Sequence, residues 1–408
     1  MRRWLLLVQV LTVGLLAGVL AMVAGAPSAQ AVSGFVTIHD ANHLGLNGGV
    51  WYAKAVHFWM TDYVTGPPAG WYNTWVLPQD SRYLAQARWQ IRDLAQANLG
   101  ANTLRVFFDF AHVTDRSGNF LPDSADPTKT TLDHLDTIMA LAAEQGMKVT
   151  IVLFGPSSCG EVTGCWSPAQ EQFVVAMARH LRNNPTLAYW GTVNEINDQE
   201  WGTTFTRNPA NRDLRLNWNW HIAATLRAYD PNHLISTSIQ TDAGDGTASR
   251  YRDYFLPVSW NPAGTLASMV DFLTPHSYLG VTAPNQEMIR NLRAGAPGKP
   301  IVLEEVGWPS GWSTDNPQFT AEVQTAAISA ILSAARSEGI AGVGIWMLAD
   351  FNGLPDAGSP EQSFFGLFWS TYTAQRVAEL GQQPAPQPWS RKPAADVVQR
   401  HFRGLGPE

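Results

Sequence analysis

The sequence is short of cysteine, of charge and of basic residues. Cys159 and Cys165 are the only thiols in 408 residues, so a disulfide-stapled mini-fold and a four-cysteine metal site are both excluded. Charged residues make up 15% of the chain, and 34 acids against 27 bases give a formal charge of −7. Nucleic-acid binding draws on basic patches, so this balance argues against it and favours neutral partners. The sequence also lacks a G-x-G-x-x-G phosphate loop, which counts against an open dinucleotide-binding sheet. Beyond the first 24 residues no apolar run is long enough to cross a bilayer.

What is present begins with Met1-Arg2-Arg3, an apolar run from Trp4 to Ala24, and Ala29-Gln30-Ala31. A basic start, an apolar centre and a small-x-small site read as a secretory signal peptide over residues 1–31. An uncleaved anchor is the competing reading, since the run nearly spans a membrane. No cysteine follows it, which argues against a lipoprotein. Residues 32–408 are then expected to be one exported, extracellular, monomeric domain with no membrane contact. In that compartment Cys159 and Cys165 read as a disulfide closing a short loop. A metal site is the rival, but no histidine sits in the loop to complete it. Tryptophan is plentiful, at 17 residues, and many fall in predicted loops: Trp71, Trp75, Trp166, Trp201, Trp260, Trp308, Trp312 and Trp369. Sugar rings have apolar faces that stack on indole, so a polysaccharide or oligosaccharide partner is suggested.

Short β-branched runs alternate with amphipathic helical patterns. Strands are predicted at 52–58, 102–108, 148–154, 189–194, 233–238, 270–275, 300–305 and 342–348, nearly continuous in apolar character, as strands buried on both faces are. Helices are predicted at 81–98, 131–145, 168–183, 212–229, 284–294, 320–338 and 394–402, with Gly146 and Gly339 at C-terminal caps. Eight strands alternating with helices predict an α/β fold, a single-domain (β/α)₈ TIM barrel. Long loops follow strands one, four, five and eight, and in a barrel they gather on the face that carries the active site.

Two strand ends carry carboxylates: Trp190-Gly191-Thr192-Val193-Asn194-Glu195 and Pro300-Ile301-Val302-Leu303-Glu304-Glu305-Val306-Gly307. Two such groups on separate strands are what cleavage of a glycosidic bond requires. Side chains alternate along a strand, so Glu304 and Glu305 are expected to point opposite ways, with Glu304 against the helix layer. His57 and His112, near the ends of strands one and two, either line the pocket or pack.

Together these runs resemble clan A of the glycoside hydrolases, most closely family 5, the cellulase and β-mannanase group. The run Glu305–Ser310 also looks like the strand-seven motif of plant-type β-1,3-glucanases of family 17. The resemblance implies Glu195 as acid/base, after Asn194, and Glu305 as nucleophile, in Glu305-Val306-Gly307. It further implies substrate-site roles for Arg105, Asn194, His276 and Tyr278 (in His276-Ser277-Tyr278) and for Trp346, with a cis peptide after that tryptophan. The activity implied is retaining hydrolysis of β-linked glucan or mannan, without metal or organic cofactor. Arg105 and Tyr278 would hold Glu305 ionised, while like charge and partial desolvation would keep Glu195 protonated. Strand three ends Leu153-Phe154-Gly155-Pro156-Ser157, without the histidine motif common in family 5 cellulases, and this leaves the sugar open. A transglycosylase on the same site, or a retired barrel that only binds carbohydrate, are the alternatives.

Overall fold

The eight apolar runs do pair in parallel around one barrel. In the computed structural model the barrel strands are β4 (Ala53–His57), β5 (Thr103–Phe107), β6 (Lys148–Phe154), β7 (Leu187–Val193), β10 (Thr274–Ser277), β11 (Val302–Val306) and β12 (Gly342–Ile345), with the fifth strand split into β8 (Leu234–Ser236) and β9 (Ser238–Gln240). β8 pairs with β7, and β9 pairs with β10, so the break at Thr237 joins the two ends of the sheet. The structure describes residues 34–58, 81–122, 126–155, 158–159, 165–197, 211–241, 247–261, 263–280, 285–311, 317–350, 363–370, 374 and 387–404. The segment expected to be a signal peptide, the first-strand loop with Trp71 and Trp75, and Trp201 and Trp312 lie outside the described residues.

Helices Thr131–Glu144, Pro168–Leu181, Arg212–Tyr229, Asn285–Gly295, Ala321–Ser337 and Ala394–Arg403 form where the 3.6-residue pattern places them. Their ends follow local chemistry. Ser167 accepts from the Gln170 amide ahead of Pro168, and Thr320 accepts from the Val323 amide. Gly146 and Gly339 take left-handed φ values of 66° and 57° just past two helix ends, as expected. The helix from Ser81 continues from Gln90 to Leu99 with π-type bonding, which the sequence pattern did not reveal.

Ahead of the barrel the sequence reading missed a small antiparallel sheet: β1 (Val36–Ile38), β2 (Leu44–Leu46) and β3 (Gly49–Trp51). Its Val36, Leu44 and Trp51 pack with Ala53, Ala188, Tyr189, Phe272, Val302 and Ala341, residues at or near the N-terminal ends of barrel strands. The sheet therefore caps the end of the barrel opposite the strand-end carboxylates. Lys148 is drawn into the same region, its ammonium donating to the Gly34 carbonyl at 2.7 Å, and burial pulls its pKa down to about 8. Among the described residues no helix is long and apolar enough to cross a membrane.

The chain after β12 is pinned by one buried ion pair. Lys392 Nζ lies 2.7 Å from Asp350 Oδ1, donates to the Phe364 carbonyl at 2.9 Å, and stands over the Trp369 ring. Both charges are fully buried. Lys392→Ala would leave the Asp350 carboxylate without its counter-ion, and breaking a buried pair on one side costs about 3–5 kcal/mol. Chemical denaturation should show that loss. An unchanged midpoint would mean that other contacts, such as the Gly366 amide that donates to Asp350 Oδ1 at 2.8 Å, suffice to hold the carboxylate.

Candidate active site

The strand that carries Asn194-Glu195 is fixed from its outer face. Along β7, Trp190 and Thr192 point toward the helix layer: the indole donates to Asp230 at 2.8 Å, and Thr192 bonds Asn219 and Thr237. Residues 189 and 191 then face the barrel interior. Two residues past the end of β7 stands Glu195, whose φ of 49° lies in the left-handed region that a glutamate seldom adopts. Its amide donates to Ser238 Oγ on β9 at 2.8 Å, which ties the turn to the neighbouring strand. Such backbone conformations cluster at functional sites, where the surroundings enforce them.

The end of β11 corrects the expectation that only one of its glutamates faces inward. Between Leu303 and Val306 the register with β12 slips: those residues pair with Val343 and Ile345, so three steps on β11 face two on β12. The extra residue is a β-bulge, which re-aims side chains. Leu303 and Val306 stay in the outer apolar core, while Glu304 and Glu305 both turn inward. Glu304 is not set against the helix layer. It is buried at 1% exposure beside Arg105, Tyr189 and His276, and Glu305 sits nearer the open end at 5%. Two glycines permit the crowding. A Cβ on Gly344 would lie 2.2 Å from the Glu304 carbonyl, and one on Gly307 would lie 2.3 Å from the Trp346 carbonyl. The glycine of Glu305-Val306-Gly307 is thus a steric requirement of β11 passing the end of β12.

Arg105, wholly buried on β5, is the hub. It donates to Glu305 Oε1 and to Asn194 Oδ1, the latter at 2.9 Å, and its Nε lies 3.1 Å from Glu304 Oε2. That Nε–H is not aimed along the line to the oxygen, so the Glu304 contact is an ion pair more than a directed hydrogen bond. His57 on β4 accepts from Arg105 through Nε2. Burial first, then the positive charges of Arg105 and His276, push the His57 pKa well below its usual value, so the ring is a neutral acceptor. On the other side, Tyr278 Oη donates to Glu305 Oε2 at 2.5 Å.

His276 bridges the two carboxylates named from the sequence. Its Nδ1 is 2.8 Å from Glu195 Oε1 and 3.4 Å from Glu305 Oε2, and its Nε2 is 3.8 Å from Glu304 Oε2. Burial opposes a charge on this ring, but Glu305, Glu195 and Glu304 outweigh it and raise the pKa to about 9. For Glu304, burial alone would raise the carboxyl pKa. Arg105, His276 and Tyr189 outweigh it and hold the group below the usual value. Two cations and two inward glutamates of β11 therefore neutralise one another, and Glu195 closes the ring.

Aromatic side chains surround this centre. Trp346 stands edge-on to His57 at 4.6 Å and forms a small cluster with Met347 and Phe365, against which Phe107 and Tyr278 pack. The Trp346–Met347 peptide is cis, as the resemblance implied. His112 pairs with Asp109 at the cap of a short helix, Phe110–Val113. Cys159 and Cys165 are joined as a disulfide. Glu200, Asp242 and Asp245 lie outside the described residues.

The structure thus gathers Glu195, Glu305, Arg105, Asn194, His276, Tyr278, Trp346 and His57 at one end of the barrel. Sequence reasoning missed Tyr189, Ser238, Phe107 and Phe365. Tyr189 lies next to Trp190, whose indole bonds Asp230 in the helix layer, so alternation turns Tyr189 inward. One oxygen or nitrogen from each of Glu195, His276 and Glu305 lies within 4.8 Å of the others, a spacing that could hold a cation. Any metal would have to displace the His276 proton, which is held tightly at neutral pH.

Comparison with known proteins agrees with this geometry. The family model described as Cellulase (glycosyl hydrolase family 5) matches residues 87–351, from the helix before β5 to just past β12. No curated protein sequence matches the chain. Among solved structures, an exo-β-1,4-mannosidase from Opitutaceae bacterium strain TAV5 has a TM-score of 0.59 at 18% identity, covering 88% of this chain and 60% of its own. The endo-1,4-β-mannanase of Rhizomucor miehei has a TM-score of 0.53 at 15% identity, covering 85% of this chain and 99% of its own. A β-glucuronidase of Bacteroides uniformis has a TM-score of 0.58 at 15% identity and covers 89% of this chain, which spans 37% of the glucuronidase's length. These structural likenesses speak for the barrel. The family match covers most of the chain and all but the first barrel strand, and on it this chain belongs to glycosyl hydrolase family 5.

Proposed function

We propose that the chain hydrolyses a β-linked glucan or mannan with retention of configuration, using Glu305 as nucleophile and Glu195 as acid/base. The observation that carries this reading is the short gap between the carboxylates, an oxygen of each lying within 4.8 Å. Retaining glycosidases hold their carboxyls about 5–5.5 Å apart, whereas inverting ones leave about 6.5–9.5 Å for a water. Glu305 receives N–H and O–H donors from Arg105 and Tyr278, which suits an anion that must attack the anomeric carbon. Glu195 gives its proton to the departing oxygen. Once the sugar is bonded to Glu305 that negative charge is gone, and Glu195 can take a proton from water. Asn194, oriented by Arg105, is placed to meet the sugar 2-hydroxyl, and Trp346 offers a ring to the sugar face.

The family description supports glucan, and the titles of two structural neighbours support mannan. An oxidised Cys159–Cys165 pair fits an exported protein. The test is product analysis against β-1,4-mannan, β-1,4-glucan, β-1,3-glucan and aryl β-glycosides, with anomers followed by NMR. Retained β-product from one polymer is the expected result. Inverted product would overturn the double displacement, and silence on every substrate would favour a barrel that only binds carbohydrate.

A further inference from the structure

Glu304 has no part in the reaction just described, yet it occupies the most buried acidic position beside it. Three neighbouring strands converge on its carboxylate. Tyr189 on β7 donates to Oε1 at 2.9 Å, Arg105 on β5 brings Nε to 3.1 Å from Oε2, and His276 on β10 brings Nε2 to 3.8 Å from Oε2. Glu305 is its neighbour on β11 itself. The cations that touch Glu304 from below are the same two that touch Glu305, Asn194 and Glu195 from above.

We propose that Glu304 is a positioning residue, a buried counter-ion that fixes the Arg105 guanidinium and the His276 ring so that their outer N–H groups meet Glu305, Asn194 and Glu195. The bulge in β11 has a purpose on this account: it places two consecutive carboxylates on one face, one to react and one to hold. Tyr189 orients the holding carboxylate, since its buried hydroxyl donates to the oxygen that Arg105 and His276 leave free.

The inference deepens the assignment of Glu195 and Glu305 and rests on it. A charge within about 4–6 Å shifts a partner's pKa by about one to three pH units. His276 also faces Glu195, Glu305, the Arg105 guanidinium at 3.4 Å and, more remotely, His57. Glu305, Glu195 and Glu304 favour its charge, whereas burial opposes it. When Glu195 is protonated for the first step, Glu304 and Glu305 are the carboxylates that remain to keep the ring charged.

Glu304→Gln keeps the shape and can still accept from Tyr189, but removes the charge. In the full-length protein, labelled with ¹⁵N-histidine and with the His276 signal assigned by loss in His276→Asn, the wild-type ring should titrate near pH 9. In Glu304→Gln that midpoint should fall by about one to three pH units. Turnover should fall roughly 10- to 100-fold with KM little changed, the scale of a misplaced supporting partner. A titration from His276 should also enter the neutral range of the pH–rate profile. Glu304→Asp should recover the His276 midpoint in large part. If Glu304→Gln does not fold, Tyr189→Phe replaces it and should lower kcat several-fold at constant KM. An unmoved His276 midpoint in folded Glu304→Gln, or wild-type turnover in Tyr189→Phe, would overturn the proposal. The NMR midpoint does not depend on which glutamate attacks, so activity surviving in Glu305→Ala would sink the catalytic assignment and leave this result standing.

Discussion

Glu305→Ala is expected to lose turnover by roughly 10⁴-fold or more, because the covalent intermediate needs a nucleophile that nothing nearby replaces. Glu304 is the obvious substitute, and the geometry argues against it. It is buried at 1% exposure below the reacting level and already paired with Arg105, Tyr189 and His276. To attack, it would have to break those contacts and leave Arg105 and His276 without their counter-ion. The substitution also opens space at the anomeric carbon. Azide should enter there and restore part of the activity on aryl glycosides, giving the α-glycosyl azide, since only one displacement then occurs. Anomer detection by NMR checks this. Substantial activity without azide, or a β-azide product, would show that the attacking group is not Glu305.

Much of the barrel was legible because its strands are buried on both faces. β6, for example, has every residue buried, and its predicted span of 148–154 matches the structure. Helix ends were legible where a local cap declares them, as at Gly146 and Gly339. β1 to β3 were not, because three-residue strands are too short to show alternation and their fate is set by packing under the barrel. The gap in the fifth strand at Thr237 is equally silent in the sequence, although it joins the two ends of the sheet.

The site was legible in its residue types and misread in one direction. Alternation assigns Glu304 outward, and it fails because the bulge inserts a residue that nothing in Val302-Leu303-Glu304-Glu305-Val306 announces. One clue existed. Gly344 on the facing strand leaves room for the Glu304 backbone, and a glycine inside a strand pattern marks a bulge or a close approach. Reading β11 and β12 together, rather than each alone, would have raised the question. His276 was named as a substrate residue, but its position between three carboxylates, and hence its standing charge, is a property of the closed barrel only.

Glu195→Gln is the complementary experiment, and its effect should depend on the leaving group. Gln can neither give nor take the proton, while its size keeps the contact with His276. A sugar alkoxide departs poorly without a proton, so polysaccharide cleavage should fall by about 10²- to 10⁴-fold, the usual contribution of a positioned acid. Dinitrophenolate leaves unaided, so the first step on that glycoside should be nearly spared. The second step still lacks its base, and the glycosyl-enzyme should then accumulate, visible as a burst of dinitrophenol followed by slow turnover. Azide needs no base, so it should accelerate that slow phase and give the β-glycosyl azide, opposite in configuration to the product expected from Glu305→Ala. Equal loss on polysaccharide and dinitrophenyl glycoside, with no burst and no response to azide, would assign the damage to the His276 network and remove Glu195 from the acid/base role.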